Sequence, residues 1–263
     1  MSAPVFLAEP GSLGGYAGGS VYLLEGTEGR HAGVVQRRGA GERVDVVDGA
    51  GVRLQGAVET AGDDGVRVRV VQRVEEPAPE IALVLVQALA KGDRDEMAVE
   101  AATEIGVDAV VPWQAERSIV VWRAGRAAKS HARWQGTVRA ATKQSRRSRV
   151  PDVEQAVDGP GLVARVRAVV AAGGAAVVLH EEASVPFASV VLPQASGTGS
   201  GSGGAPREIL VVVGPEGGIS AREIAALSDA GAQIARLGPH VLRTSTAGPV
   251  AMALLAQRLG RWA

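Results

Sequence analysis

The sequence predicts an α/β protein with an N-terminal β-rich domain and a larger domain built on a parallel sheet. Residues 1–76 contain short segments in which apolar and polar residues alternate between Gly and Asp turns, a pattern typical of half-buried strands. From residue 80, strands that are apolar throughout alternate with helical segments, which is typical of a parallel sheet covered on both faces. We therefore expect domains at 1–76 and 80–263, joined by the proline-containing stretch 75–80.

The N-terminal domain is expected to form a small barrel from four short strands and one helical piece. The Asp48-Gly49 pair between the second and third strands is a hairpin signal. The strands are SVYLLEG (20–26), ERVDVVDG (42–49), VRLQGAVET (52–60) and GVRVRVVQRVEE (65–76), and the helical piece is GRHAGVVQRRG (29–39).

The second domain alternates strands and helices along its whole length. The strands are IALVLVQAL (81–89), DAVVPW (108–113), AAVVLHEE (175–182), EILVVVGP (208–215) and QIARLG (233–238). The helices are DRDEMAVEAATEIG (93–106), about 125–145, 160–172, one that begins at Ser220, and TAGPVAMALLAQRLGRW (246–262). The Gly/Ser-rich segment 194–206 is expected to be a flexible surface excursion.

Composition narrows the class of protein. The chain has no cysteine, which excludes disulfides and thiolate metal sites, and its four dispersed histidines make a metal site improbable. The longest run of apolar residues and glycine, 168–179, is too short to span a bilayer. The N-terminus lacks the basic and apolar regions of a signal peptide. We therefore expect a cytoplasmic protein with no membrane partner and no metal.

Positive charge is concentrated in one part of the chain. Between Arg117 and Pro151 there are ten Lys or Arg and no Asp or Glu, so the rest of this neutral chain carries −10. Such asymmetry indicates a surface that faces a polyanion, although a basic helix face is often only solvated. At 100° per residue, one half of the predicted helix is basic, with Arg126, Lys129, Arg133, Arg139, Lys143 and Arg146.

A glycine-rich turn follows the strand at 208–213. It reads Gly214-Pro215-Glu216-Gly217-Gly218, and Ser220 and Glu223 then form a capping box. No Gly-Lys-Ser/Thr follows the glycines, so this is not a P-loop, and Glu216 would repel a phosphate. The preferred ligand is therefore neutral or cationic, unless the glycines only form a tight turn.

Polar segments follow three of the predicted strands, at Leu179 to Glu181, Gly214 to Gly218 and Leu237 to Thr246. In open α/β sheets, ligands bind at the carboxyl ends of the strands. An N-cap at Ser245 or Thr246, with Pro249 in the first helical turn, would explain the hydroxyls of the third segment. It would not explain Arg243, a cation directed at the end of a buried strand.

With these segments in view, nearly the whole chain resembles the bacterial small-subunit ribosomal RNA methyltransferase E proteins, uracil-N3 methyltransferases of 16S rRNA in the SPOUT superfamily. The most specific motifs are VVGPEGGIS (212–220) and RLGPHVLRTSTA (236–247), supported by KQSRRSRVP (143–151) and LHEEA (179–183). The resemblance implies a PUA-like β-barrel followed by a SPOUT α/β domain with a C-terminal trefoil knot. It also implies S-adenosylmethionine as cofactor and a homodimer.

The resemblance also implies roles for individual residues. Arg243 would stabilise the negative charge that develops on the uracil, and Glu181 and Glu104 are the two options for a general base. Cofactor contacts are expected at Leu179, His180, Glu181, Gly214, Pro215, Glu216, Gly217, Gly218, Leu237, Gly238, Leu242, Thr244, Ser245 and Thr246. RNA contacts are expected at Arg37, Arg38, Lys91, Arg94, Arg117, Arg139, Lys143, Gln144, Arg146 and Arg149.

Two departures from the family pattern fall within these sets. Ser245 stands where many relatives have Glu, and Lys143 replaces a common Glu. The implied function is S-adenosylmethionine-dependent methylation of N3 of a specific uridine in 16S rRNA, in the small ribosomal subunit. The alternatives are a SPOUT enzyme that acts on another RNA position and a non-catalytic RNA-binding protein of ribosome assembly. A Rossmann oxidoreductase is disfavoured because its glycine fingerprint is missing.

Overall fold

A computed structural model describes residues 3–194 and 206–262. The chain forms two compact units, Met1–Ala78 with Thr142–Val150, and Pro79–Ala141 with Pro151–Ala263. The sequence placed 142–150 with the later part of the chain, but tertiary contacts place this segment in the first unit. Val150 N donates to Gly49 O at 2.9 Å, and Arg149 Nη2 donates to Glu76 O at 2.6 Å. The core of the predicted Gly/Ser excursion lies outside the described residues.

The first unit contains a five-stranded sheet in the order β1-β3-β4-β5-β2. β1 is parallel to β3, and the other neighbours are antiparallel. The predicted hairpin is confirmed, because β3 and β4 pair across Asp48-Gly49 with Gly49 at φ +74°. The elements are β1 (Val5–Leu7), β2 (Val21–Leu24), helix α1 (Gly26–Arg30) with a π-helical turn (His31–Val35), β3 (Arg43–Val47), β4 (Val52–Gly62) and β5 (Gly65–Glu75).

The second unit contains a seven-stranded sheet in the order β10-β12-β9-β11-β6-β7-β8. Every neighbouring pair is parallel, as the uniformly apolar strands predicted. The strands are β6 (Ile81–Ala88), β7 (Ala109–Trp113), β8 (Asp152–Val153), β9 (Ala175–Leu179), β10 (Val185–Pro186), β11 (Arg207–Val213) and β12 (Gln233–Arg236). The helices are α2 (Arg94–Ile105), α3 (Ala124–Gln144), α4 (Gly159–Ala171), α5 (Ala221–Asp229) and α6 (Thr244–Arg258).

Helices cover the two faces of this sheet, as predicted. Leu162 and Val166 of α4 and Leu227 of α5 pack with alternate residues of the strands, including Val84 and Val212. Helices α2 and α6 pack against each other, and both contact β6. Close packing of α6 depends on Gly248, since an added Cβ there would lie 2.9 Å from Leu85 Cδ1.

Some elements differ from the sequence-based prediction. The short strands β1, β8 and β10 were not predicted, because two or three residues are too few to show a period. Helix α6 begins at Thr244, with Arg243 and not Ser245 or Thr246 in the N-cap position. Pro249 therefore lies inside the helix, beyond its first turn. Strand β9 ends at Leu179, so the polar residues after it belong to a loop.

The helices and the charged side chains of the described residues can be compared with the requirements of a membrane span and of a metal site. Over the described ranges, no helix has the length and apolar character needed to cross a bilayer. In the same residues, no group of three or more His, Asp or Glu side chains is arranged to hold a metal ion.

Candidate functional site

A cleft of about 470 Å³ lies at the carboxyl ends of β9, β11 and β12 in the second unit. All three predicted polar segments contribute residues to its lining. These segments are Leu179 to Glu181 after β9, Gly214 to Gly218 after β11 and Leu237 to Thr244 after β12. Because β9 lies between β11 and β12 in the sheet, the ends of these three strands are neighbours. The tertiary structure thus brings together segments that are far apart in sequence, as expected for an open parallel sheet.

The carboxylate in the glycine-rich loop ties that loop to the β6–α2 connection. Glu216 Oε1 accepts from Lys91 N at 3.0 Å and from Arg94 Nη1 at 2.8 Å. Partial burial opposes ionisation of Glu216, but hydrogen bonds from backbone N–H groups and from Arg94 outweigh it and lower the pKa of the carboxyl. Glu216 is thus an ionised lining residue of the cleft with part of its charge balanced by Arg94.

A hydroxyl at the start of α6 connects two strand ends beneath the cleft. Thr244 Oγ1 donates to Gly214 O at 2.7 Å and accepts from Gln87 Nε2 at 2.8 Å. Gln87 is fully buried near the end of β6, and its Oε1 atom has no hydrogen-bond partner in the described structure. Helix α6, the β11 loop and β6 are therefore held together by polar contacts at the cleft.

In the β11–α5 loop, residues 214–220, Gly217 and Gly218 are each favoured over larger residues for a different structural reason. Gly218 has φ +73°, a backbone conformation that side chains disfavour. Gly217 leaves room for Arg117, since an added Cβ would lie 3.1 Å from Arg117 Cβ. Arg117 Nη1 in turn donates to Gly217 O at 3.1 Å. The capping box that follows is confirmed, with Ser220 and Glu223 exchanging both hydrogen bonds.

Most of the predicted cofactor-contacting residues line the cleft, and three do not. Gly217 lies behind the loop against Arg117, and Ser245 and Thr246 lie in the first turn of α6, outside the lining. Those that line it are Leu179, His180, Glu181, Gly214, Pro215, Glu216, Gly218, Leu237, Gly238, Leu242 and Thr244.

The predicted cation Arg243 also lines the cleft. It is exposed at the N-cap of α6 and makes no ion pair with any described residue. Of the two carboxylates considered as a base, Glu181 lines the cleft, whereas Glu104 lies on the exposed side of α2, outside the lining. The geometry therefore retains Arg243 and Glu181 as candidates for contact with a ligand.

Sequence reasoning missed several residues at this site. Ile219, Arg236 and Ala247, which lie outside the three predicted segments, also line the cleft, and His240 and Val241 line it within the segment Leu237 to Thr246. Their participation follows from the folding of the loops around it, which no local pattern encodes. The buried Gln87 could have been noticed, because it is a polar residue in a strand that is otherwise apolar.

Within the second unit, several basic side chains are exposed. Arg126, Lys129 and Arg139 lie on the exposed side of α3, whereas Trp134 and Val138 on its other side are buried. The predicted amphipathic division of this helix is therefore confirmed. Exposed residues Lys91, Arg94 and Arg117 make the polar contacts with the β11 loop described above, Lys91 through its backbone.

In the first unit, some predicted RNA-contacting cations already have protein partners. Lys143 Nζ lies 2.7 and 2.8 Å from the two carboxylate oxygens of Glu28. Arg149 donates to a backbone carbonyl, and Arg38 pairs with Glu42 at 3.4 Å. The remaining predicted residues of this unit, Arg37, Gln144 and Arg146, are exposed.

Similarity to known proteins agrees with this architecture. Residues 76–256 match the family model of the RNA methyltransferase domain. A structure from Legionella pneumophila, described as a putative methyltransferase in complex with the bound cofactor SAM, has a TM-score of 0.80 and 27% identity, and the match covers 98% of each chain. A ribosomal RNA small subunit methyltransferase E from Neisseria gonorrhoeae, bound to S-adenosyl methionine, has a TM-score of 0.79 and 25% identity, again over 98% of each chain.

These matches define the class as an RNA methyltransferase with a parallel α/β sheet. Among curated proteins, the ribosomal RNA small subunit methyltransferase E of Mycobacterium bovis is 44% identical over 244 residues, which is 93% of this chain and 89% of that protein. The chain belongs to the ribosomal RNA small subunit methyltransferase E family.

Proposed function

We propose that this chain transfers a methyl group from S-adenosylmethionine to N3 of a uridine in the 16S rRNA of the small ribosomal subunit. The observation that carries the proposal is the convergence of three strand-end loops on one cleft, in a chain 44% identical to a small subunit rRNA methyltransferase. The choice of uridine N3 rests on the family resemblance of the loop motifs.

The chemistry of the cleft fits this cofactor. Its volume of about 470 Å³ falls in the range of small-molecule sites. Glu181 and Glu216 offer negative charge to a ligand that carries a sulfonium and an ammonium group. Val213, Ile219 and Leu242 provide apolar surface for an adenine ring. When bound, S-adenosylmethionine supplies an electrophilic methyl group.

The residues of the chain then have three tasks. The exposed guanidinium of Arg243 stabilises the negative charge that spreads over O2 and O4 as the uracil loses its N3 proton. Glu181, whose carboxylate lines the cleft, accepts that proton as the general base. The glycine-rich loop and Thr244 hold the site in a fixed geometry, which contributes to the rate by orientation.

The exposed cations are proposed to hold the RNA backbone. Arg126, Lys129 and Arg139 provide a basic face on α3, and Arg37 and Arg146 are exposed in the first unit. Recognition of this kind depends on phosphate contacts and RNA shape more than on base edges. Lys143 and Arg149 have structural roles instead, because Lys143 pairs with the Glu28 carboxylate and Arg149 donates to the backbone carbonyl of Glu76.

The finer architecture belongs to the same proposal. We assign an RNA-binding, PUA-like barrel to the N-terminal unit, with the segment 1–76 as its main part, and a SPOUT methyltransferase domain to the second unit, Pro79–Ala141 with Pro151–Ala263. A C-terminal trefoil knot and a homodimer are part of this assignment. Support comes from the family resemblance and from the SAM-bound relatives that cover 98% of this chain.

The first experiment is a calorimetric titration with S-adenosylmethionine, followed by a methylation assay on unmethylated small subunits with mapping of the modified atom. Cofactor binding and a methyl group at uridine N3 are expected. A methyl group on a different atom or RNA would instead identify a SPOUT enzyme of other specificity. Absence of cofactor binding, with or without subunits present, would leave a non-catalytic RNA-binding protein.

A second experiment separates RNA binding from cofactor binding. Arg139→Glu should weaken RNA binding and leave the affinity for S-adenosylmethionine unchanged, because Arg139 is exposed on α3 and is not among the residues that line the cleft. Arg167→Glu, the same change on the exposed side of α4, serves as the control. Equal losses of both ligands in Arg139→Glu would contradict this division of tasks.

A further inference from the structure

We propose that Ile119 and Val121 form an apolar wedge that enters the RNA base stack next to the methylated nucleotide. The inference rests on the proposed function and adds a role for the β7–α3 loop, residues 114–123. N3 lies on the Watson–Crick edge of uracil, so a target base that is paired and stacked in the RNA must be extruded before this atom can be methylated. The wedge would fill the space that the extruded base leaves.

Two large aliphatic side chains of this loop are exposed to solvent. Ile119 is 70% exposed and Val121 is 50% exposed, although the chain buries most of its Ile and Val residues. Proteins that unstack nucleic acids often insert such side chains between base steps. An aliphatic side chain has no hydrogen-bonding group, so its task there is to separate bases and not to read them.

The backbone of the loop is held by hydrogen bonds on both sides of Ile119. Ser118 N donates to Ala115 O at 3.0 Å, and the side chain of Gln114 donates through Nε2 to Val120 O at 3.0 Å. Behind these residues, the ring of Trp122 contacts the buried ring of Trp134 edge-to-face, with 5.4 Å between centroids. A fixed backbone limits the entropy lost when the side chains insert.

The same loop contacts the candidate cofactor site. Arg117 Nη1 donates to Gly217 O at 3.1 Å, and Pro215, Glu216 and Gly218 around that glycine line the cleft. The aliphatic pair therefore lies in a loop that touches the wall of the site where the extruded base must arrive.

The charges around the pair favour RNA over a second copy of the chain. Arg117, Arg123 and Arg126 are all exposed, and the sequence has no acidic residue from 117 to 151. A two-fold interface centred on this loop would bring the arginines against their own copies. A phosphate backbone on either side of an unstacked base would instead be attracted to them.

The test compares two RNAs in single-turnover methylation after the modified uridine has been mapped. Both are reconstituted into small subunits, and in one the nucleotides next to the target are replaced by abasic linkers, so that the target is already unstacked. The double variant Ile119→Ala/Val121→Ala should lose about tenfold or more in rate on the stacked RNA and stay within about threefold of wild type on the other. Its affinity for S-adenosylmethionine should be unchanged.

Val191→Ala is the control, because Val191 is a 75% exposed valine outside the β7–α3 loop. Equal losses on both RNAs, no loss on either, or a change of oligomeric state by light scattering would each overturn the wedge. If the wild-type chain methylates neither RNA, the proposed function itself fails, and the wedge fails with it.

Discussion

Thr244→Val tests whether polar contacts beneath the cleft hold the site together. The substitution keeps the shape of the side chain but removes the hydroxyl that bridges Gly214 O and Gln87 Nε2, at 2.7 and 2.8 Å. Each lost bond is expected to cost about 1 kcal/mol, with a further penalty of about 1 kcal/mol because buried Gln87 loses an acceptor. We expect the free energy of unfolding to fall by about 2–3 kcal/mol.

Equilibrium unfolding in urea, followed by tryptophan fluorescence, measures this change. The four tryptophans, Trp113, Trp122, Trp134 and Trp262, belong to the same compact unit as Thr244, so the signal reports on the relevant unit. Because the lost bonds also position the β11 loop, the affinity for S-adenosylmethionine should fall as well.

Two further variants test whether the loss of stability comes from the Thr244 hydroxyl itself. Thr244→Ser retains the hydroxyl and should recover most of the lost stability. Thr137→Val removes an exposed hydroxyl that donates to Arg133 O at 3.2 Å on α3, and should change stability by less than about 0.5 kcal/mol. A Thr244→Val protein as stable as wild type, or a Thr244→Ser protein destabilised as much as Thr244→Val, would show that the hydroxyl does not hold the site together.

Three more predictions follow from the described contacts. Gly217→Val should lower the affinity for S-adenosylmethionine at least about tenfold, since the added Cβ would press on Arg117. Gly136→Ala is the control, because a Cβ at Gly136 meets open space and should leave that affinity unchanged. Calorimetric titration of both variants measures the two affinities. The pKa of Glu216 is lowered in the folded chain, so its contribution to stability is present above the unfolded pKa and is lost as the pH falls. The stability difference between wild type and Glu216→Gln should shrink in acid, and a growing difference in urea titrations would contradict this. Lys143→Ala should destabilise the first unit by about 1–2 kcal/mol, because the Glu28 carboxylate would lose its ion-pair partner. Unfolding followed by circular dichroism measures this change, and an unchanged free energy of unfolding would show that the ion pair does not stabilise the unit.

The sequence was sufficient for the type of most elements because their signals are local. Strand β6 and strand β11 are uniformly apolar, and the structure pairs them in parallel at the centre of the sheet. The division of α3 into a buried side with Trp134 and an exposed side with Arg139 follows from the helical period. The start of α6 was misplaced, because neither Ser245 nor Thr246 caps this helix: it begins at Thr244, and its N-cap residue Arg243 makes no side-chain capping bond.

The candidate site was only partly predictable. The segments after β9, β11 and β12 were expected to lie together, since the carboxyl ends of parallel strands share one edge. The pairing of Glu216 with Arg94 was not expected, because it joins residues more than a hundred positions apart. Similarly, Lys143 was assigned to RNA, whereas the folded chain places the Glu28 carboxylate against it.

The sequence by itself determined the class of fold, the polar loops that form the cleft and the family to which its motifs point. Periodicity, turn residues and short motifs encode these features within a few residues of one another. The tertiary structure alone decided which charges remain free for a ligand, as with Arg243, and which are paired within the protein, as with Arg94 and Lys143. The physical reason is that pairing depends on distances between side chains that only the folded chain brings within a few ångströms.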